Sequence, residues 1–437
     1  MTEEIKTADK FASNEYRRSR VSYQLQCMFE YFIILLVTDS FLAFLLSSIG
    51  IKEAYIGIIS SISQLAVLFQ ILTVFFARRI KNVRRSSLLY HMPSDLFFLF
   101  IYLIPLIPAF KNYRSQAVIV CIFIAYFGRY FMTSVIYRWG NSFVEPHKRA
   151  EFSAIKEMIS LVGGIMVTVG LGYVMERCQK LDKIESWFIY AAVSMAVFTL
   201  LDLISILFIE NRVTEKSEPE ELRVVFGKTF GNKKFRKITA LSAMWGISSY
   251  FLLGFMGTYK NLLFSLSTVQ VINGAAYFLR FIFSRPIGIY SDRHSYSQGM
   301  RLGFSMVAAS FAAVMFTTPK TRMLLVVFTV LFNVGIAGIS ENMLNIPYDY
   351  VEEKYMAEAN AISSGIMGIA GFLSSLVAGA LFSYIESRGN VIFGVRIHGQ
   401  QTLALIALIL LLITMLYNKC AVGRMKGDYD RYAVKTE

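Results

Sequence analysis

Stretches of about twenty residues, rich in Leu, Ile, Val, Phe and Ala and nearly free of charge, recur from near residue 29 to residue 418. A run of ~20 apolar residues crosses the hydrocarbon core of a bilayer as an α-helix. No water reaches a bare N–H or C=O there, so a spanning segment must satisfy its backbone internally. The runs are continuous and do not alternate over about ten residues, which selects helices over barrel strands. Composition points the same way. The chain is 55% hydrophobic and only 17% charged, with a mean hydropathy of +0.51, whereas a soluble domain carries about 25% charged residues. Such a chain has too little polar surface to cover itself in water. That excludes a soluble enzyme, a nucleic-acid reader and a secreted disulfide scaffold, and it defines an all-α polytopic membrane protein.

Twelve transmembrane helices are expected, near residues 29–50, 54–77, 86–107, 116–140, 152–175, 186–209, 238–258, 268–290, 299–318, 322–345, 357–385 and 400–419. They divide the chain into a tail (1–28), a six-helix bundle (29–209), a central loop (210–237), a second six-helix bundle (238–419) and a closing tail (420–437). Lys and Arg test the layout, because basic residues concentrate in cytoplasmic connections. With both termini inside, the inside segments carry 28 and the outside connections 11, each counted with the helix ends that flank them. This bias also accounts for the net charge of +14 through anionic lipid headgroups, without nucleic acid. The cell membrane is therefore the expected location, with both tails cytoplasmic and membrane lipids as contacts.

No connection is long enough for a nucleotide-binding domain, and no GxxxxGK[ST] cradles a phosphate. HExxH, GxSxG and aspartate-rich metal motifs are absent too, so no enzymatic activity, cofactor or metal is expected. The cysteines Cys27, Cys121, Cys178 and Cys420 are scattered, without metal-ligand spacing.

The two halves echo each other. Ala150-Glu151, Ala154-Ile155, Gly164 and Gly172 recur as Ala357-Glu358, Ala361-Ile362, Gly371 and Gly379, at a constant offset of 207. Six helices against six in the same orientation form a parallel repeat about an axis along the membrane normal. The glycines Gly163, Gly164, Gly170 and Gly172, with Gly365, Gly368 and Gly371, are expected to permit close helix packing.

Gly288-Ile-Tyr-Ser-Asp292-Arg293 matches G-x-x-x-D-R, a motif of the major facilitator superfamily, between the eighth and ninth helices. The corresponding first-half loop, Ala77 to Arg85, keeps the basic character without the acid. With twelve spans, two similar halves and a central loop, nearly the whole chain resembles that superfamily and is similar to its uncharacterised bacterial members. The resemblance implies two bundles that expose a midplane site alternately to either side. It also implies a cytoplasmic gate in which Asp292 meets the N-terminal end of the eleventh helix and Arg293 holds a neighbouring acid. In that family the first, fourth, seventh and tenth helices line the cavity.

Ionisable residues inside spans are costly to bury and mark function. At similar depth lie Asp39 on the first helix and Arg129 on the fourth, an expected pair. The second half offers Arg280 and Arg285 on the eighth helix and Glu341 on the tenth, with Asn333 eight residues before Glu341 on one face. Glu341 is the leading candidate for a protonatable group. Trp245, with Tyr31, Tyr250 and Tyr277, is placed on cavity-lining helices, where the rings could stack on a sugar or an organic cation. His91 and Asp202 match in depth, and a structural contact is expected there.

The expected function is secondary active transport of a small polar or anionic solute by alternating access. Coupling to protons is expected, with the protein acting as a monomeric symporter. The alternatives are a multidrug or cation efflux transporter, in which Asp39 binds a cation, and a non-transporting membrane receptor.

Overall fold

The computed structural model describes residues 16–72, 80, 82–144, 149–211, 227, 230–351, 356–392 and 395–425. They are almost wholly helical, apart from a small antiparallel pair in which Val391 faces Arg396 and Ile392 faces Val395. Among the described residues, ten helices are long and apolar enough to cross a membrane, or eleven when Arg17–Leu36 and Asp39–Ser48 form one bent span. Tyr296–Met315 stands where the ninth span is expected. It is helical over 20 residues but more polar, with Gln298, Arg301 and three serines. It is packed at close range against the tenth helix, Met323–Asn345. A Cβ at Gly303 would lie 2.6 Å from the carbonyl oxygen of Gly335, and one at Gly335 would lie 2.8 Å from that of Gly303. Two backbones this close exclude any side chain between them.

The first helix begins at Arg17, twelve residues before the apolar run. Its opening turns are polar, yet Ser19, Ser22, Tyr23 and Gln26 are buried. Polar residues turned inward raise no hydropathy signal, so the helix is longer than its apolar stretch. The helix then breaks. Asp39 takes φ +46, a left-handed conformation that Asp and Asn tolerate better than other side chains, and the axis bends by 42°. Carbonyls left over at such a break need donors in a membrane interior. The hydroxyl of Tyr102 donates to Leu36 C=O, and that of Tyr126 to Val37 C=O at 2.9 Å. Both tyrosines are buried, on the third (Val83–Leu103) and fourth (Arg114–Asn141) helices.

Side chains close other helix starts. Asn82 accepts from Arg85 N–H, Asn232 from Lys234 and Phe235 N–H, and Ser295 from Gln298 N–H. Each satisfies a donor that has no intrahelical partner. Gln401 fastens the start of the last helix, Gly399–Tyr417. Its Oε1 accepts from His398 N–H at 2.9 Å, while its Nε2 donates to Thr317 C=O at 2.8 Å.

Packing separates two units. One takes residues up to 50 together with 72–219; the other takes 51–71 together with 220 onward. In the first, the opening helix packs on the fifth (Arg149–Lys180) and sixth (Ile184–Phe208), the sixth on the third, and the third on the fourth. In the second unit, the ninth and tenth helices and the seventh (Lys233–Tyr250) and eleventh (Met356–Ser387) are the closest neighbours. The core there includes Trp245, Phe255, Phe304, Phe311 and Phe328. The segment 51–71 belongs to this unit by its packing. A Cβ at Gly365 would strike Ile71 at 2.5 Å, and Gln400 donates to Glu53 at 3.3 Å.

The expected glycine contacts are present at Gly163, against the Phe32 ring, and at Gly164, against Tyr31. At Gly170 an added Cβ would meet nothing within 4 Å, so that glycine is not a packing contact.

Candidate functional site

The first unit contains a chain of buried polar side chains drawn from four helices. Gln26 and Glu30 lie one turn apart on the first helix and so share a face. Gln26 Nε2 donates to Glu30 Oε2 at 3.0 Å and to Asp202 Oδ1 at 3.1 Å. Glu30 Oε1 is 2.7 Å from Arg129 Nη2 on the fourth helix. Asp202, on the sixth helix, has its other oxygen 3.4 Å from Nε2 of His91 on the third. The same nitrogen lies 3.7 Å from Asp95, one turn further along. Arg129, Glu30, Gln26, Asp202, His91 and Asp95 therefore form one continuous series.

Burial divides this series. The side chains of Arg129 and Glu30 keep 12% and 16% of their surface accessible, whereas those of His91, Asp95 and Asp202 keep none. A charge pair with a narrow accessible edge can exchange partners with a proton or a charged solute. A fully enclosed cluster cannot meet a bulky solute at all. Nearby, Lys156 on the fifth helix lies over the rings of Tyr23 and Tyr137 at 5.3 and 5.4 Å, positions that attract a cation to the ring faces.

Arg129 is thus placed in a buried network, but its carboxylate is Glu30. The expected Asp39–Arg129 pair is replaced because the helix starts at Arg17, which shifts its middle toward the N-terminus. Glu30 is 13 residues from the start of its helix and Arg129 is 12 from the end of the antiparallel one. Asp39 lies nine residues beyond Glu30, about 13 Å further along the axis, and occupies the break. Glu30 and Gln26 escaped sequence reasoning because Glu30 stood at the assumed helix end, where an acid looks interfacial. The spacing of four between them was the available signal. The contact between His91 and Asp202 is present at the distance given above.

In the second unit the sequence-derived residues lie on the seventh, eighth and tenth helices. Trp245 is buried in the apolar core, its ring centroid 5.6 Å from that of Phe304. Asn333 donates back to Thr329 C=O at 2.8 Å within its own helix. Arg280 is half-buried, and Arg285 and Glu341 are exposed. Gly288, Asp292 and Arg293 lie in the last turns of the eighth helix, Leu266–Arg293, with Asp292 and Arg293 exposed. An added Cβ at Gly288 would meet nothing within 4 Å. A buried contact that sequence reasoning missed joins Lys260 Nζ to Asn273 Oδ1 at 3.1 Å. Lys260 falls between the expected seventh and eighth spans, but it lies in the buried first turns of the helix Met256–Leu263.

Comparison with known proteins follows this architecture. The sequence profile of the Major Facilitator Superfamily matches residues 27–375 and, overlapping, 259–426. No curated protein matches the sequence significantly. Among solved structures, a point mutant of the nucleoside transporter NupG superposes with a TM-score of 0.71 at 14% identity, over 92% of this chain and 98% of that one. A bacterial homologue of the human lysosomal transporter Spinster gives 0.66 at 15% identity, over 94% and 98%. An auto-inhibited peptide transporter of the POT family gives 0.69 at 11%, over 94% and 98%. At such identities these likenesses concern the fold. The profile spans most of the chain, and this multi-pass membrane protein belongs to the major facilitator superfamily of transporters.

Proposed function

We propose that the protein is a proton-coupled secondary transporter that moves a small polar or anionic solute across the cell membrane by alternating access, as a monomer with both termini in the cytoplasm. The Glu30–Arg129 pair carries this reading. It sits mid-span, it is enclosed except for a narrow edge, and Glu30 is held by a hydrogen bond from Gln26. Protonation of Glu30 releases Arg129 for an anionic or polar group of the solute, and departure of the solute restores the pair. Competition of this kind links the two fluxes, because each occupant changes the affinity for the other. Gly288, Asp292 and Arg293 act in this scheme as the cytoplasmic gate. Arg280, Asn333 and Glu341 supply the second-half contacts. Nucleosides and short peptides are the first solutes to test, because transporters for them share this fold.

The test is uptake into proteoliposomes with and without an imposed pH gradient. An inward proton gradient should drive accumulation of the solute above equilibrium. Glu30→Gln should abolish that accumulation while leaving solute exchange across the membrane in place. Uptake indifferent to the gradient would overturn proton coupling. Loss of binding and exchange along with accumulation in Glu30→Gln would overturn the assignment of Glu30 as the coupling group.

A further inference from the structure

His91 lies within ion-pair range of Asp95 and Asp202, yet the cluster is not that of an ordinary hydrogen-bonded core histidine. All three side chains are fully enclosed. Among the described residues, neither ring nitrogen of His91 has a hydrogen-bond partner, nor has either oxygen of Asp95, nor Oδ2 of Asp202. Buried polar groups in folded proteins are almost always hydrogen-bonded. Five polar atoms in one enclosed cluster therefore call for an occupant.

The spacing indicates what kind. A charge-assisted N–H···O bond measures about 2.7–2.9 Å, whereas His91 Nε2 lies 3.4 Å from Asp202 and 3.7 Å from Asp95. Ligands at ~2.0–2.2 Å around a tetrahedral zinc ion lie about 3.3–3.6 Å from one another along the tetrahedron's edges. The nitrogen is thus set from both carboxylates at close to the edge length of a metal site. One ligand atom from each residue lies within 4.8 Å of the others, and rotation about the carboxylate bonds closes the remaining gap. His91 and Asp95 come from one helix at a spacing of four, so they share a face. Asp202 comes from a neighbouring helix. Gln26 already holds the outer oxygen of Asp202, the kind of outer contact that orients a ligating carboxylate.

Charge counting agrees. The Glu30–Arg129 pair is neutral by itself, so two aspartates remain in an enclosed cavity with a histidine. One divalent cation on two aspartates and a neutral imidazole makes the cluster electroneutral. The donor set of one imidazole and two carboxylates suits zinc, and also manganese, iron or cobalt.

We infer that His91, Asp95 and Asp202 bind one divalent transition-metal ion of the zinc class, which clamps the third helix to the sixth. The ion leaves a fourth position open, and by helical register Ser87 and Thr199 lie one turn away from His91 and Asp202 on the same faces. Both carry buried hydroxyls without a hydrogen-bond partner among the described residues. Gln26 bridges this site to Glu30, but Glu30 and Arg129 supply no ligand, so metal binding is tested independently of how the solute is coupled.

Purified full-length protein in detergent, stripped with chelator and reloaded with cobalt(II), tests this directly. The expected result is about one cobalt per chain with strong visible d–d bands of tetrahedral N/O ligation, and no thiolate-to-metal band in the near ultraviolet. Zinc should displace the cobalt and raise the apparent unfolding temperature by mass action. His91→Gln and Asp202→Asn should each lower zinc affinity at least tenfold, while Cys420→Ser should leave it unchanged. No cobalt spectrum, or one dominated by thiolate bands, would overturn the assignment on the wild-type protein alone, even if the variants failed to fold. Zinc binding that survives in a folded His91→Gln would overturn it as well.

Discussion

At the scale of single residues, the Glu30–Arg129 pair decides most. Removing one partner of an enclosed ion pair leaves a charge without compensation, and the cost exceeds what the pair itself contributes. Arg129→Gln should therefore destabilise the protein by about 3 kcal/mol, because Glu30 then loses the cation 2.7 Å away. Glu30→Gln strands the guanidinium in the same way. The double variant Glu30→Gln, Arg129→Gln carries no stranded charge, so it should lose less than the sum of the two single changes by at least ~1 kcal/mol. Unfolding temperatures of the four proteins in one detergent measure this coupling, and strict additivity would mean that the two side chains do not interact. Sequence reasoning reached Arg129 because an arginine twelve residues inside an apolar run is conspicuous. It missed Glu30 because hydropathy detects only where apolar residues begin. One face of its polar opening turns, with Ser19, Ser22, Tyr23 and Gln26, is buried, which a hydropathy scan cannot register.

At the scale of elements, the bend in the first helix depends on Asp39. A left-handed conformation costs roughly 1–2 kcal/mol for most L-residues and little for glycine. Asp39→Gly should therefore keep the bend at little cost. Asp39→Val, a β-branched residue at φ +46, should lose about 2 kcal/mol or more. The melting temperatures of the two variants discriminate: if Val is tolerated as well as Gly, the break is not set by the backbone at this position. This gives Asp39 a structural reason to be in the span, and it explains why depth alone paired it with the wrong partner. Depth along a straight helix was legible from the sequence, but a bend and its φ were not. The same holds at Trp245, whose position on the seventh helix suggested a solute-facing ring. Its packing on Phe304 depends on the ninth helix, and no periodicity within the seventh helix records that neighbour.

At the scale of the whole molecule, the repeat that was visible in a handful of Ala, Glu and Gly positions emerges in the structure as matched elements. The fifth helix, Arg149–Lys180, and the eleventh, Met356–Ser387, are each 32 residues long, and both their starts and their ends are offset by 207, the offset of the sequence match. At 32 residues both run well beyond the ~20 needed to cross the hydrocarbon core, so bilayer thickness alone does not set their shared length. Orientation is the property that such a repeat must share between its halves, and it can be measured. If basic residues hold their connections inside, the tail bearing Cys420 is cytoplasmic, and the turns at Tyr113 and Leu181 are outside. All three positions are exposed. A membrane-impermeant maleimide applied to intact cells should label Tyr113→Cys and Leu181→Cys, and should reach Cys420 only after permeabilisation. Labelling of Cys420 from outside, with the two turns protected, would invert the topology. It would also place the Asp292–Arg293 turn on the opposite side from the proposed gate. Labelling of Tyr113→Cys without Leu181→Cys would mean that the fourth and fifth helices do not both cross. The even spacing of charge bias along the chain would then need another cause. Because each connection alternates sides, the three positions fix the parity of the crossings between them: even from Tyr113 to Leu181 and odd from Leu181 to Cys420.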